Sequence, residues 1–440
     1  MRKLRQSAVA IVALLALGSC ARGEPERTTI TLQRFFGACE AQYGGSTDVE
    51  TAEGECGIIT TLINRFEAEN PDIDVKVNVV FWPGYDQLTA QLAANDEPDL
   101  VIMHASVIPD YQARGLIDPI GAELKAAGVD PARFTEAARL GVTIDDQIWG
   151  LPFDTWAPLW HINMNLFRQA GLVQDGQPIL PTSAQELLAQ AEQFERATGK
   201  PYLVQISANE YASYARNLYT LMFQQGAAVF DRPDRIDLNN PQARAVLNLF
   251  RTIDDRGLTT KNQDYSAATA GFLNGDGGVL INGTWMVGTF DLESRTTGRP
   301  LSGGYAVRTY PQLFAGRAAT FVDSHVWVMP RDAGRTDAER AAALRLLKFL
   351  ADNDLQWART GHLPAFQDII DSPAFLALPH RSDLAFLATT GRLLRAGVRR
   401  QFSIETILGE ESAAAIAGNK SVDQALIDGE RRVNTLLANL

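Results

Sequence analysis

Several residues of this 440-residue chain have the chemistry of a recognition site and stand where loops are expected. Trp82 and Tyr85 follow an alternating apolar segment, Asp99 stands just ahead of another, and Asp154 and Trp156 share a short irregular stretch. Trp285 comes directly after an Asn282-Gly283 turn, and Asp323 and His325 precede the apolar run Val326 to Met329. Flat aromatic rings beside carboxylate, amide and imidazole groups suit a ligand with apolar C–H faces and a rim of hydroxyls that donate and accept. Signals for bond-breaking chemistry are missing. Gly-x-Ser-x-Gly, His-Glu-x-x-His, a phosphate loop and a dinucleotide fingerprint are absent, and the 5 His are scattered. Asn274 to Gly278 is Gly-rich but lacks the Lys and spacing of a phosphate loop.

Each of these residues also has a plainer use. Of the 7 Trp, Trp149, Trp327 and Trp357 read as core. Asp99 could cap a turn, and an ion pair or a solvated surface charge would account for Asp323, His325 or Arg399.

Length and composition set the frame. At roughly one domain per 100 to 200 residues, 440 residues make two or three. Hydrophobic residues are 46% and charged residues 21%, a globular composition with a sizeable core. The net charge is -12, and about -15 without Arg2, Lys3 and Arg5, which argues against nucleic acid as a partner. Those three cations precede Ala8 to Leu17, an apolar stretch too short to span a bilayer, so residues 1–19 read as an export signal. Leu17-Gly18-Ser19-Cys20 resembles a lipobox, which would make Cys20 the lipidated first mature residue, with 20–27 as tether. In an exported protein the remaining Cys39 and Cys56 read as a disulfide closing a Gly-, Ser- and Glu-rich loop. Two free thiols, or a metal pair poorly supplied with His, are the alternatives. Glu40, next to Cys39, would then be an acceptor that the staple holds near a ligand.

The periodicities predict strands over Thr28 to Phe35, Asp74 to Phe81 and Pro98 to Met103, with helices over Ile58 to Glu69 and Tyr85 to Asn95 between them. That alternation implies an α/β lobe with a largely parallel sheet, in which ligands collect beyond the carboxyl ends of the strands. Further helices are expected at Ala184 to Ala197, Pro241 to Asp255, Ala338 to Asp352 and Ser421 to Leu440.

Five segments in order resemble the family 1 extracellular solute-binding proteins, the maltose- and trehalose-type binding proteins of ABC importers. They are Phe66 to Ile73, Pro98 to Val101, Leu159 to Phe167, Phe272 to Trp285 and Thr360 to Pro364. The resemblance implies a two-lobed, type II periplasmic-binding-protein-like α/β fold with the ligand between the lobes. It places crossings near Phe153 to Ala157, Tyr305 to Thr309 and Asn353 to Trp357. Lobe one would hold Thr28 to Pro152 and Tyr310 to Asp352, and lobe two Pro158 to Gly304 and Ala358 to Leu440. It further implies that Trp285 stacks on the ligand, that Gly361 belongs to the site and that Arg399 reaches the ligand from the C-terminal region. The chain departs from the family in the long loop Phe36 to Glu55, in Met164 where a Lys is usual, and in His362 at a variable position. Neither Met164 nor His362 is carried over as a ligand residue. The function implied is non-enzymatic capture of a small carbohydrate, a di- or oligosaccharide, for an ABC permease. The expected form is a monomer with no cofactor and no metal, held to the membrane through Cys20. The alternatives are an exported carbohydrate-active hydrolase and a binding protein for a polyamine or other non-sugar solute.

Overall fold

The computed structural model describes residues 27–440. The expected signal segment and Cys20 lie outside the described residues. Two sheets organise the chain. The first runs Ile73–Val79, Thr28–Arg34, Leu100–His104, His325–Val328 and Leu151–Pro152. Its first three strands are parallel, and His325–Val328 returns antiparallel to its neighbours. The second runs Leu203–Val204, Val279–Gly283, Pro158–Asn163 and Tyr305–Arg308, with Pro158–Asn163 antiparallel to both neighbours.

Local sequence explains the helices that cover these sheets. Gly54–Glu69 buries Ile58, Ile59, Leu62, Ile63 and Phe66, one stripe at helical spacing, against Ile30, Leu32 and Ile102. It stops at Asn70, whose side chain donates to the Phe66 carbonyl at 2.7 Å, and Pro71 cannot continue it. Asp337–Asp352 starts from a reciprocal capping box between Thr336 and Glu339 and adds Leu346, Leu347 and Leu350 to the same core. In the second lobe Ser183 and Asn240 cap Ala184–Thr198 and Pro241–Asp255. Of the helices that were not anticipated, two are longer than ten residues. Ala212–Gln224 and Gln401–Ile416 pack on one another, and Gln401–Ile416 also meets Pro241–Asp255 and Val422–Ala438. Among the described residues no helix is long and apolar enough to cross a membrane.

The crossings need two corrections. In the third, Trp357 still belongs to the first lobe's core, so that crossing centres on Ala358 to Leu363 and not on Asn353 to Trp357. Tyr305–Arg308 pairs inside the second sheet, and Tyr310, Leu313, Ala319 and Phe321 join the second lobe's core. The chain therefore returns to lobe one near Val322 to Ser324, not at Tyr305 to Thr309, because the apolar side chains of 310–321 are buried in the second lobe. Asp154–Thr155 and Leu363–Pro364 pair across the hinge, and Phe366 then packs back on Phe134 of the first lobe. Cys39 and Cys56 are bonded, which ties the long loop to the start of Gly54–Glu69.

Candidate functional site

The parallel strands of lobe one end together and set one wall of the interlobe cleft. Phe35 and Phe36 follow Thr28–Arg34, Trp82 follows Ile73–Val79, and His104 closes Leu100–His104. The Tyr85 hydroxyl bonds His104 Nδ1 at 2.8 Å and accepts the His104 backbone N–H at 2.9 Å. Burial and the nearby His325 and Arg216 hold the His104 pKa well below its ordinary value. Phe402 of the second lobe meets Trp82, His104 and Tyr85 with ring centroids 5.6, 5.5 and 5.2 Å away, so the two lobes touch here. Asp99 lies at the opposite end of its strand, roughly 17 Å away at strand rise. There it accepts from the Thr31 N–H at 2.8 Å and pairs with buried Arg335 at 2.9 Å. It is a structural ion pair, remote from the cleft.

All three crossings contribute to one buried cluster. Asp154 comes from the first, His325 from the second and His362 from the third. Asp154 accepts from His325 Nδ1 at 2.8 Å, the His325 backbone N–H at 3.0 Å and Trp357 Nε1 at 2.8 Å. His362 bonds Glu55 through Nε2 at 2.8 Å and Thr284 through Nδ1 at 3.0 Å, with Asp154 3.6 Å away. Burial alone would raise the Asp154 pKa, but the His325 and His362 charges and the His325 hydrogen bonds hold it below the carboxylate range. Asp154, His325 and His362 have ligand-type atoms within 4.8 Å of one another, so they are the residues that could hold a metal ion. Both Asp154 oxygens, both His362 nitrogens and His325 Nδ1 already have protein partners. Asp154 and His325 were expected to face a ligand, yet they lock the hinge. Three of the 5 His that look scattered in sequence converge in space, with His104 to His325 and His325 to His362 centroids each 5.2 Å apart.

Two residues beyond Asp154 the environment reverses. Trp156 is buried, with the Arg216 guanidinium carbon 4.7 Å over its ring and Trp285 at its edge, 5.8 Å away. Arg216 is held by Glu405 through two hydrogen bonds of 3.2 and 3.0 Å, and this pairing outweighs burial to raise its pKa. Trp285 Nε1 donates to the Tyr265 hydroxyl at 2.8 Å. Trp156, Asn217, Asn282, Trp285, Glu210 and Tyr265 line a cavity of about 40 Å³. Trp156 Nε1, Asn282 Nδ2 and Asn217 Oδ1 are buried without a partner in the protein. Two donors and one acceptor on the wall of one small cavity are a site for hydroxyl groups, since leaving them unpaired costs about 1–3 kcal/mol each.

A larger interlobe groove of about 540 Å³ lies on the other side of Phe321 and Asp323. Ser106 and Asp323 stand at its floor, with the Ser106 hydroxyl donating to Asp323 at 2.6 Å. Burial outweighs that bond and the backbone donors and pushes the Asp323 pKa up to about 6.

The profile of the bacterial extracellular solute-binding proteins matches residues 61–382. The chain belongs to this family. A binding protein of Brucella abortus is 25% identical over 260 residues, 59% of this chain and 57% of that one, so the match spans little over half of that relative. The sn-glycerol-3-phosphate-binding periplasmic protein UgpB of Escherichia coli O6:K15:H31 is 24% identical over 99% of this chain and 98% of its own. Among solved structures, maltose-bound MalE3 of T. maritima superposes with a TM-score of 0.76 at 18% identity, covering 93% of this chain and 100% of that one. The cyclic alpha-maltosyl-1,6-maltose binding protein of Arthrobacter globiformis gives 0.74 at 20%, covering 94% and 100%. These neighbours share the two-lobed fold.

Within this solute-binding protein the remaining expected residues divide. Trp82, Tyr85, Trp156 and Trp285 meet at the cleft, and Asp323 stands in the groove. Glu40 is exposed and pairs with buried Arg34 at 3.3 Å. It lines neither cavity. Gly361 is buried with φ 126°, and a Cβ there would lie 2.0 Å from the Thr284 carbonyl oxygen. It lets the third crossing pack against the turn that carries Trp285, with no side chain to offer a ligand. Arg399 is half-buried and lines neither cavity, whereas Arg392 and Arg395 of the same segment line the groove. Phe402 was missed because its helix carries no amphipathic signal, whereas Arg216 and Asn217 lie on an amphipathic helix that the sequence reading passed over. His362 was set aside for lying at a variable position.

Proposed function

We propose that the chain is the exported, substrate-capturing subunit of an ABC-type importer, that its ligand is a small carbohydrate, and that it performs no catalysis. The observation that carries this reading is the cavity between Trp156 and Trp285, where apolar ring faces adjoin two unpartnered donors and one unpartnered acceptor. A sugar ring offers the complement, C–H faces with hydroxyls at the edge. The maltose and maltosyl ligands named for the fold neighbours agree with it. Sugar would first meet the second lobe, and closure would bring Trp82, Tyr85 and His104 onto it. The ligand then shifts the population by its greater affinity for the closed form. The closed form would dock on the permease as a monomer, with Cys20 as lipid anchor.

A thermal-shift screen of the mature chain against mono- and disaccharides, polyols, polyamines and ferric citrate tests this, followed by calorimetry and recovery of the ligand. We expect a sugar to raise the melting temperature and to be recovered unchanged. Stabilisation by a polyamine or iron alone would overturn the carbohydrate assignment, and a converted sugar would overturn the non-catalytic one.

A further inference from the structure

We propose that the captured carbohydrate is an acidic one, a sugar bearing a carboxylate or phosphate, whose anionic group is received by Arg317, Arg392 and Arg395 in the 540 Å³ interlobe groove. The inference rests on the carbohydrate-capture reading and extends the ligand's site from the Trp156–Trp285 cavity, which has room for only part of a sugar, into the groove on the other side of Phe321 and Asp323. Three guanidinium groups line one groove of a chain whose net charge is -12, and none of them forms an ion pair among the described residues. That is a local reversal of sign. Two separate segments are brought together to make it. Thr320–Phe321 pairs in parallel with Gly391–Arg392, which joins the stretch after Arg317 to the stretch that carries Arg392 and Arg395. Gly316 lies where a Cβ would come 2.0 Å from the Gln224 carbonyl oxygen, and the Arg317 N–H donates to that oxygen at 3.1 Å. The turn is pinned by a contact that only glycine permits, which fixes the Arg317 backbone and leaves its exposed side chain without a protein partner. Arg392 gives its Nη1 to the Thr389 and Gly391 carbonyls at 3.0 and 2.8 Å, which fixes its guanidinium and leaves its other N–H groups free of protein partners.

The same groove also asks for hydroxyls. Gln401 is buried, and its Oε1 accepts nothing from the protein. With Asp323 beside it, the groove presents two acceptors that suit hydroxyl donors. A volume of 540 Å³ falls within the range of small-molecule sites. Acceptors at the floor and arginines at the wall fit a polyol that ends in an acid, because guanidinium matches the two oxygens of a carboxylate or phosphate. Glu136 on the lobe-one side is the competing partner, an acid that could meet the arginines when the lobes close.

Calorimetry of the mature chain with matched pairs tests the assignment: galactose against galacturonate, glucose against glucuronate, and glucose against glucose 6-phosphate. We expect one acid to bind about tenfold or more tighter than its neutral partner, with the gap narrowing as salt is raised. The uronate and phosphate arms show which anion is preferred. In the double variant Arg317→Gln, Arg395→Gln the gap should close, with ligand-free melting as the control for folding. A Glu136→Gln variant that keeps the gap excludes closure onto Glu136 as its source. Neutral sugars binding as tightly as acids would overturn the proposal and leave carbohydrate capture standing. A gap that survives in the double variant would overturn the role of these arginines. Binding of no carbohydrate at all would overturn both readings.

Discussion

Asp154 and Trp156 are separated by one residue, and both are buried, yet their polar atoms fare oppositely. Three donors meet the Asp154 carboxylate, and Trp357 and His325 supply them from the other two crossings. Trp156 Nε1 meets nothing, nor do Asn282 Nδ2 and Asn217 Oδ1 around the same cavity. A satisfied buried charge is a fastening, while an unsatisfied buried donor carries a cost that a bound water or a ligand hydroxyl removes. Strand pairing across the hinge fixes the first, and the small cavity under Trp285 leaves the second open. Charge and sequence spacing do not distinguish the two positions. Hydrogen-bond satisfaction does.

The largest effect should come from breaking the fastening. Asp154→Ala removes the carboxylate that His325, Trp357 and the His325 N–H share, and it leaves those donors buried. We expect a loss of about 3–5 kcal/mol in denaturant unfolding, the usual cost of removing one partner of a buried ion pair. If the change were under about 1 kcal/mol, the cluster would not be fastening the hinge.

Trp285→Ala sharpens the contrast from the other side. The ring forms one wall of the cavity and is only partly buried, so its loss should cost affinity more than stability. We expect sugar binding to weaken by about 2 kcal/mol, roughly thirtyfold, with a smaller fall in unfolding free energy. Calorimetry and melting on the same preparation separate the two. A variant that melts early and binds normally would make Trp285 a core residue.

The legible part of this molecule was what repeats at short range. Strands at Thr28–Arg34, Ile73–Val79 and Leu100–His104 alternate with helices whose apolar stripes and caps are local, so they and the loops at their carboxyl ends could be read. Trp82 and Tyr85 follow from that rule. Asp99 was misplaced against the same rule, since it precedes its strand and so lies at the end away from the cleft. Ala212–Gln224 and Gln401–Ile416 both escaped, and each is enclosed on several sides. In Gln401–Ile416, Glu405 and Glu411 sit inside with their cationic partners, so no polar face marks the period, whereas in Ala212–Gln224 the polar residues keep a helical spacing although residues 214–224 are all buried. Those helices carry Arg216 and Asn217 of the small cavity and Phe402, which meets Trp82, Tyr85 and His104. The hinge cluster was illegible for a different reason: Asp154, His325 and His362 meet only because three crossings do, and no local pattern encodes that.

A third test uses pH, and it turns on two buried aspartates with opposite shifts. Asp154 is held low by two His, so its contribution to stability is present above the unfolded value near 3.8 and is lost as pH falls through the depressed folded value. Asp323 is raised to about 6 by burial, against the hydrogen bonds from Ser106 and Ser324. Its contribution is therefore present below 3.8 and is lost as pH rises through about 6. Between those values the folded form holds a proton that the unfolded chain releases. Asp323→Asn removes that linkage. Relative to the parent, the variant should gain stability progressively from about pH 4 to 7, with a slope below the limit of about 1.4 kcal/mol per pH unit for one proton. Asp154→Asn should change the acid side instead, where the parent loses the charge that His325 and His362 hold. Parallel melting curves of Asp323→Asn and the parent across this window would mean that Asp323 stays ionised in the folded state, and that the groove floor offers a full negative charge to whatever enters it.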